Sequence, residues 1–418
     1  MVLRLDDPLH LPCGLSIPNR IAKTAMCEGL ADFSNRASGG HAELYRRWAQ
    51  SGAGLLVTGA VQVDRRYLDR PSDIVVEGPQ STAASRALAI LATAAKSSGA
   101  AAFMQLSHAG LFSAPAWCSE PVGPSAGQAQ EGKPGRALTS GEIEDIVRRF
   151  VFAAGVGLEC GFDGIQLLAG QGRLLGSLLS SVQNQRTDAW GGDLSGRAKA
   201  LLDIVRAVRA AYGSQHALSV KLSFGRVHKG GLDPDETLLI CDWLTREGVD
   251  LIELSVGAYG VAKKPSPEAP DVSAQEHQAI AVCGRTIRLA TRRAIMISGG
   301  LQSRRALDEW LGAGVLDMAG FARPFCVDPD FAHEFLENQT YEFAGVASKM
   351  APNSSALDGM LNKLERAAGL YSQAIEPWCA LAISDLADGF ERPQRRSAQA
   401  ALREYIRRER DFVKGLAA

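Results

Sequence analysis

Eight short, apolar, β-rich runs alternate with segments of helical period along one unbroken stretch of this chain, and few folds accept such a series. The runs occupy residues 20–26, 54–61, 101–106, 164–168, 218–224, 251–256, 294–298 and 316–321, and helix-like segments separate them at 41–50, 83–98, 140–161, 194–213, 234–248, 279–293 and 303–314. Several of these segments close on the glycine expected just past a helix end: Gly161, Gly213, Gly248 and Gly314. Strand then helix, eight times over, predicts an α/β chain folded as a (β/α)8 TIM barrel over residues 1–330. The run at 54–61 is apolar throughout, as expected of a strand buried on both faces. The Gly- and Pro-rich stretch 110–138 reads as an excursion over the barrel mouth. Beyond Asp330 the pattern turns helical, which predicts a C-terminal extension over 331–418. Its last segment, AALREYIRRERDFVKGL, interleaves Glu404 and Glu409 with basic residues. It reads as a solvated amphipathic helix that covers the bottom of the barrel or makes a dimer contact, so a homo-oligomer is an open expectation.

Composition narrows the function classes. With 45 basic and 46 acidic residues the formal net charge is −1, too little positive charge for a constitutive nucleic-acid binder. No apolar run reaches the ~20 residues of a membrane helix. The N-terminus is interrupted by Asp6, Asp7 and prolines, unlike a secretory signal. The eight cysteines are scattered without a C-x-x-C pair, and no histidines stand at metal-binding spacing. A reducing, cytoplasmic setting and no protein-built metal site are expected.

In a barrel of this kind chemistry collects at the C-terminal ends of the strands. Ser298-Gly299-Gly300 after the seventh strand and Ala322-Arg323 after the eighth stand where barrels bind phosphate. Glycines there let backbone N–H groups approach the anion, and Arg323 adds a charged fork. Lys221 on the fifth strand and Gln105 on the third add a cation and an amide, a set suited to a phosphorylated heteroaromatic ligand.

On these residues the chain resembles the old yellow enzymes, FMN-dependent oxidoreductases built on a (β/α)8 barrel. The matching stretches include PNRIAKTAMCEGLAD, GAGLLVTGAVQV, QLSHAG, GPSA, GFDGIQL, NQRTDAWGGDLSGRAKALLDIV and ISGGL followed by LGAGVLDMAGFARPF. They run in family order across residues 8–331. The resemblance implies FMN as cofactor and NAD(P)H as reductant. It implies that Thr24, Ala25, Met26 and Cys27 wrap the flavin edge, with Cys27 tuning the flavin. Ala60 would donate its backbone N–H, and Gln105 would bond the pyrimidine edge. Lys221, where most relatives have Arg, would place positive charge by the N1–C2=O edge. Gly299, Gly300, Ala322 and Arg323 would hold the phosphate. Asn184, Arg186 and Asp188 read as a structural hydrogen-bond network.

The stretch after the fourth strand departs from the family. Relatives usually read H-x-x-H-G-Y or H-x-x-N-G-Y there, two donors for a substrate carbonyl and a Tyr that donates a proton. Here it is Leu168-Ala-Gly-Gln171-Gly-Arg173. Leu168 donates nothing, and Arg173 stays charged and is a poor proton donor. Arg173 would suit an anionic small-molecule substrate, or else be an arginine that only caps the loop. Gln171, Arg173, His108 and Tyr259 are the candidate catalytic residues; the lone His108 is weighed against simple packing. Trp117, Arg226 and His228 are weaker candidates. Gly170, Gly172 and Gly176 mimic a dinucleotide fingerprint, but no second strand follows, so a Rossmann reading is set aside. The expected function is an FMN-dependent oxidoreductase with atypical substrate activation, for which oxidation, desaturation and double-bond rearrangement are as open as reduction. The alternatives are a flavin-binding protein that has lost turnover and a flavin-free phosphate-binding barrel.

Overall fold

The computed structural model describes residues 3–114, 117–128, 132–224, 232–256, 274–301, 303–343, 346 and 370–416. Eight parallel strands close a barrel: β1 (Ile21–Lys23), β2 (Leu55–Gln62), β3 (Ala101–Ser107), β4 (Gly164–Ala169), β5 (Ala217–Ser223), β6 (Leu251–Ser255), β7 (Ala294–Ser298) and β8 (Met318–Phe321). Each strand pairs with its neighbours in sequence, and β8 closes on β1 through Gly320 opposite Ala22. Outside the barrel run α1 (Gly39–Ala49), α2 (Thr82–Ala95), α3 (Ser140–Glu159), α4 (Leu174–Leu179), α5 (Leu194–Tyr212), α6 (Pro234–Arg246), α7 (Ala274–Thr291) and α8 (Arg304–Gly312). Local chemistry sets their starts. Thr139 and Asp233 close capping boxes with Glu142 and Glu236, and the Asp193 carboxylate accepts from the Gly196 amide.

The barrel interior is layered. The early halves of the strands contribute Ala22, Leu55, Val57, Ala101, Phe103, Ala217, Leu251, Met296 and Met318 to one apolar cluster, and Leu9, Leu11 and Ile17 of an N-terminal hairpin join it. That hairpin seals the bottom of the barrel. Toward the mouth the inward positions turn polar: Gln105, Gln166, Ser219, Lys221, Glu253 and Ser298 are all buried. An apolar floor under a polar layer leaves only the mouth end suited to a polar ligand.

The stretch 110–138 does fold as an excursion, with a turn at Gly110–Phe112 and short strands at Val122–Gly123, Gly127–Gln128 and Pro134–Ala137. The loop between α4 and α5 anchors it. Arg186 donates to the carbonyls of Pro124 and Leu138, Asp188 pairs with Arg186, and Asn184 donates to the carbonyls of Leu178 and Trp190.

The described C-terminal helices do not cover the barrel's bottom. After α9 (Arg323–Val327) and α10 (Phe331–Glu337), α11 (Leu370–Ala387) packs on α1 and α9, and α12 (Ala398–Leu416) packs on α11. Phe412 of α12 stacks on Phe33 at 5.1 Å, and Glu409 pairs with Arg70 at 2.5 Å. Phe33 and Arg70 belong to the loops that follow β1 and β2, so α12 rests on the mouth side. The reason is chemical: these loops offer an exposed aromatic and a cation to a helix that carries Tyr405, Glu409 and Phe412.

Candidate active site

The phosphate-binding candidates meet because β7 and β8 are neighbours. Ser298 pairs in register with Gly320, so the turns after both strands open side by side. Gly299 and Gly300 both hold left-handed backbone, φ 93° and 72°. A Cβ at Gly299 would run into the carbonyl oxygen of Val256, so only glycine fits that turn. Ala322 and Arg323 open α9 on the other side.

The polar layer at the top of the barrel is one hydrogen-bonded network. Gln105 Nε2 donates to Gln166 Oε1 at 2.7 Å, and Gln166 Nε2 donates to Glu253 Oε2 at 2.9 Å and Ser219 Oγ at 3.2 Å. Glu253 Oε1 accepts from Ser298 Oγ at 2.5 Å and pairs with Lys221 Nζ at 2.8 Å. Because the Gln105 amide nitrogen is committed to Gln166, its carbonyl oxygen is the end that can meet a ligand N–H. Sequence reasoning picked out Gln105 and Lys221 but missed Gln166 and Glu253. The signal was available: a lone Glu inside the apolar run LIELS needs a buried partner, and parity along the strands points it inward with Lys221.

The β2 edge carries a bulge between Val57 and Ala60, after which Ala60 stands in register with Gln105. Side chains satisfy the irregular backbone there. Thr58 Oγ1 accepts from the Gln105 backbone N–H at 3.0 Å, and Glu28 Oε1 accepts from the Gly59 backbone N–H at 2.7 Å. Glu28 also accepts from Tyr45 OH at 2.5 Å and lies 3.5 Å from Lys23 Nζ. Lys23 is fully buried between Tyr45 and Trp48, and burial lowers its pKa to about 8. This cluster under the Thr24–Cys27 segment was also missed by sequence reasoning. Thr24 is pinned to the Phe321 carbonyl through its amide and hydroxyl, Ala25 and Met26 are half-buried, and Met26 Sδ receives the Cys326 thiol at 3.3 Å. Burial and the carboxylates of Asp73 and Asp69 push the Cys27 thiol well above its ordinary value, so Cys27 is a thiol and not a thiolate.

The candidate catalytic residues separate. His108 is buried against Tyr67 at 5.0 Å, its Nδ1 accepts from the Gly110 amide, and burial lowers its pKa to about 4. It is a packed, neutral histidine. Arg173 is also buried. It pairs with Asp69 at 3.1 Å, donates to the Gln171 carbonyl at 2.8 Å and lies over the Phe112 ring at 4.8 Å. Gln171 stands at the mouth in left-handed backbone, φ 54°, with its amide on Ser223 Oγ at 2.7 Å and its side-chain Nε2 3.4 Å from Ser255 Oγ. Leu168 stands in register with Lys221. Trp117 Nε1 donates to the Arg65 carbonyl, away from the polar layer. Tyr259, Arg226 and His228 lie outside the described residues. Among the described residues no cluster of His, Cys, Asp or Glu is arranged to hold a metal ion.

A glycine-only turn beside Arg323 suits a terminal phosphate, and a layer offering an amide carbonyl and an ammonium suits a heteroaromatic ring with adjacent donors and acceptors. The residues therefore fit FMN. Comparison with known proteins agrees. The model of the NADH:flavin oxidoreductase / NADH oxidase family matches residues 5–342. An NADH-dependent flavin oxidoreductase of Talaromyces variabilis, iccE, is 31% identical over 365 residues, covering 78% of this chain and 85% of its own. Its counterpart iliE from Hypocrea jecorina is 29% identical over 358 residues, covering 78% and 87%. Among solved structures, the old yellow enzyme homologue from Zymomonas mobilis superposes with a TM-score of 0.69 over 82% of this chain and 95% of that one, at 24% identity. The chain belongs to the NADH:flavin oxidoreductase / NADH oxidase family.

Proposed function

We propose that this barrel uses FMN to move hydride between NAD(H) and an organic small molecule, in either direction, with substrate activation that differs from the family's usual carbonyl clamp. When bound, FMN supplies the two-electron chemistry, and the rest falls to the chain. Gly299, Gly300, Ala322 and Arg323 would hold the phosphate. Gln105 would orient the ring through its carbonyl oxygen, Ala60 through its amide, and the Thr24–Cys27 segment would close its edge. The observation that carries the reading of activation is the state of the loop after β4. Leu168 offers no donor and Arg173 is engaged by Asp69. Gln171 Nε2 is then the group of that loop aimed over the ends of β5 and β6. One amide donor orients a substrate oxygen but supplies no proton on the timescale of a general acid. Reactions that need no strong acid, such as oxidation, desaturation or a double-bond shift, therefore suit this loop better than enone reduction. Because the charge of Arg173 is paired with Asp69, an anionic substrate would have to be recognised by another group, with Tyr259 as the candidate phenol.

Anaerobic mixing with NADH tests the reading. The FMN-loaded protein should bleach with NADH and turn over generic enones poorly, whereas an unbleached flavin overturns it. Leu168→His combined with Arg173→Tyr and Asp69→Asn should raise enone reduction about a hundredfold, the lower end of the gain typical of a positioned acid–base group. No gain would show that the loop is not what limits this reaction.

A further inference from the structure

The Lys221 ammonium that the FMN reading places beside the flavin does not face the ring as a lone cation. Glu253, on the next strand, stands 2.8 Å away and is itself held from three sides, by Lys221 on β5, by Gln166 on β4 and by Ser298 on β7. Glu253 is fully buried and Lys221 nearly so. A carboxylate with that many donors in a rigid barrel layer has no alternative position, so the two charges stay together when a ligand enters the mouth.

The pairing has a consequence for electron transfer. Hydride arrival at flavin N5 brings two electrons and one proton, NADH leaves as NAD⁺, and the surplus negative charge settles along the N1–C2=O edge. A cation at that edge stabilises the reduced ring, and a carboxylate bonded to the same cation cancels much of its field. We propose that Glu253 is a positioning residue that sets the reducing power of the bound flavin: by pairing with Lys221 it keeps the flavin a stronger reductant than an unpaired lysine would allow. This inference rests on the FMN reading.

Sulfite provides a probe that needs no substrate, because it adds to N5 of the oxidised ring and leaves negative charge on the same edge. In the FMN-loaded protein, titration followed by loss of the visible flavin band should show Glu253→Gln binding sulfite at least about tenfold tighter than the parent, the scale of one uncompensated charge in a partly shielded site. Lys221→Gln, which keeps a donor for Glu253, should bind it about tenfold more weakly, and the double variant should return toward the parent. Midpoint potentials from dye equilibration should move in the same directions. A purely structural role would weaken FMN retention in every variant without opposite signs. Unchanged or weaker sulfite binding in an FMN-retaining Glu253→Gln overturns the proposal. If that variant loses FMN, Lys221→Gln decides, and parent-like sulfite binding there overturns it equally. A parent protein that takes up no FMN would instead overturn the cofactor reading.

Discussion

At the scale of single residues, the site depends on groups whose partners are non-negotiable. Gly299 is the clearest case, since any Cβ there meets the Val256 carbonyl. Gly299→Ala should therefore weaken FMN retention by more than about tenfold, through strain in the turn at φ > 0 rather than through lost contacts. Arg323→Ala should weaken it through lost charge, and equilibrium dialysis of both variants distinguishes a displaced turn from a missing cation by the salt dependence that only the parent and Gly299→Ala retain. Arg173 behaves differently. Its partner Asp69 is almost fully buried, at 4% side-chain exposure. Arg173→Tyr alone leaves that carboxylate unpaired and should cost about 3–5 kcal/mol in denaturant unfolding. Adding Asp69→Asn should recover most of the loss. If Arg173→Tyr were as stable as the parent, the ion pair would not be what positions this loop.

At the scale of elements, the C-terminal helices join the mouth of the barrel through a few concentrated contacts. Arg396, just before α12, makes a two-pronged pair with Asp385 near the end of α11, at 2.5 and 2.8 Å, and Asp385 also accepts from the Gln394 amide. Arg70 lies under Tyr405 at 5.1 Å and pairs with Glu409, while its Nη1 reaches the Cys27 carbonyl at 3.4 Å. Through Arg70, α12 is mechanically connected to the segment expected to touch the flavin edge. Asp385→Asn should remove on the order of 1–3 kcal/mol of local stability, because it takes the buried carboxylate from the half-buried Arg396 and leaves that guanidinium only its contact to Glu404 at 3.1 Å. Limited proteolysis should then cut near α12 well before the barrel unfolds, whereas Glu409→Gln, in a more exposed pair, should have a much smaller effect. Equal protection of α12 in Asp385→Asn would show that apolar packing alone holds it. The same helix was legible in the sequence as amphipathic, but its destination was not. Helical periodicity gives a face and says nothing of which end of a barrel that face will meet.

At the scale of the whole molecule, buried ionisable groups shape the response to acid. Burial lowers His41 and His108 to about 4. Between the unfolded value of roughly 6.5 and about 4, the unfolded chain binds more protons than the folded one, so stability rises with pH across that window and is lost on acidification. Each histidine contributes on the order of 3 kcal/mol to the change. Asp73 runs the other way, raised by burial and by Asp69, so the net slope is smaller than the two histidines alone would give. His108→Gln should flatten the dependence of unfolding free energy on pH between 6.5 and 4; an unaltered slope would mean that His108 is not the neutral, packed group its surroundings imply.

What the sequence by itself determined is the architecture and the family, and with the family the cofactor. Strand–helix alternation is a local property, and turns such as Ser298-Gly299-Gly300 carry their chemistry within a few residues, so both can be read without coordinates. Only the tertiary structure decided how charges far apart in the chain meet. Lys221 finds Glu253, Arg173 finds Asp69, and Arg70 finds Glu409 more than three hundred residues away. Whether a cation is free to act on a ligand depends on its buried neighbours, and burial and pairing are properties of the folded barrel rather than of any segment of it.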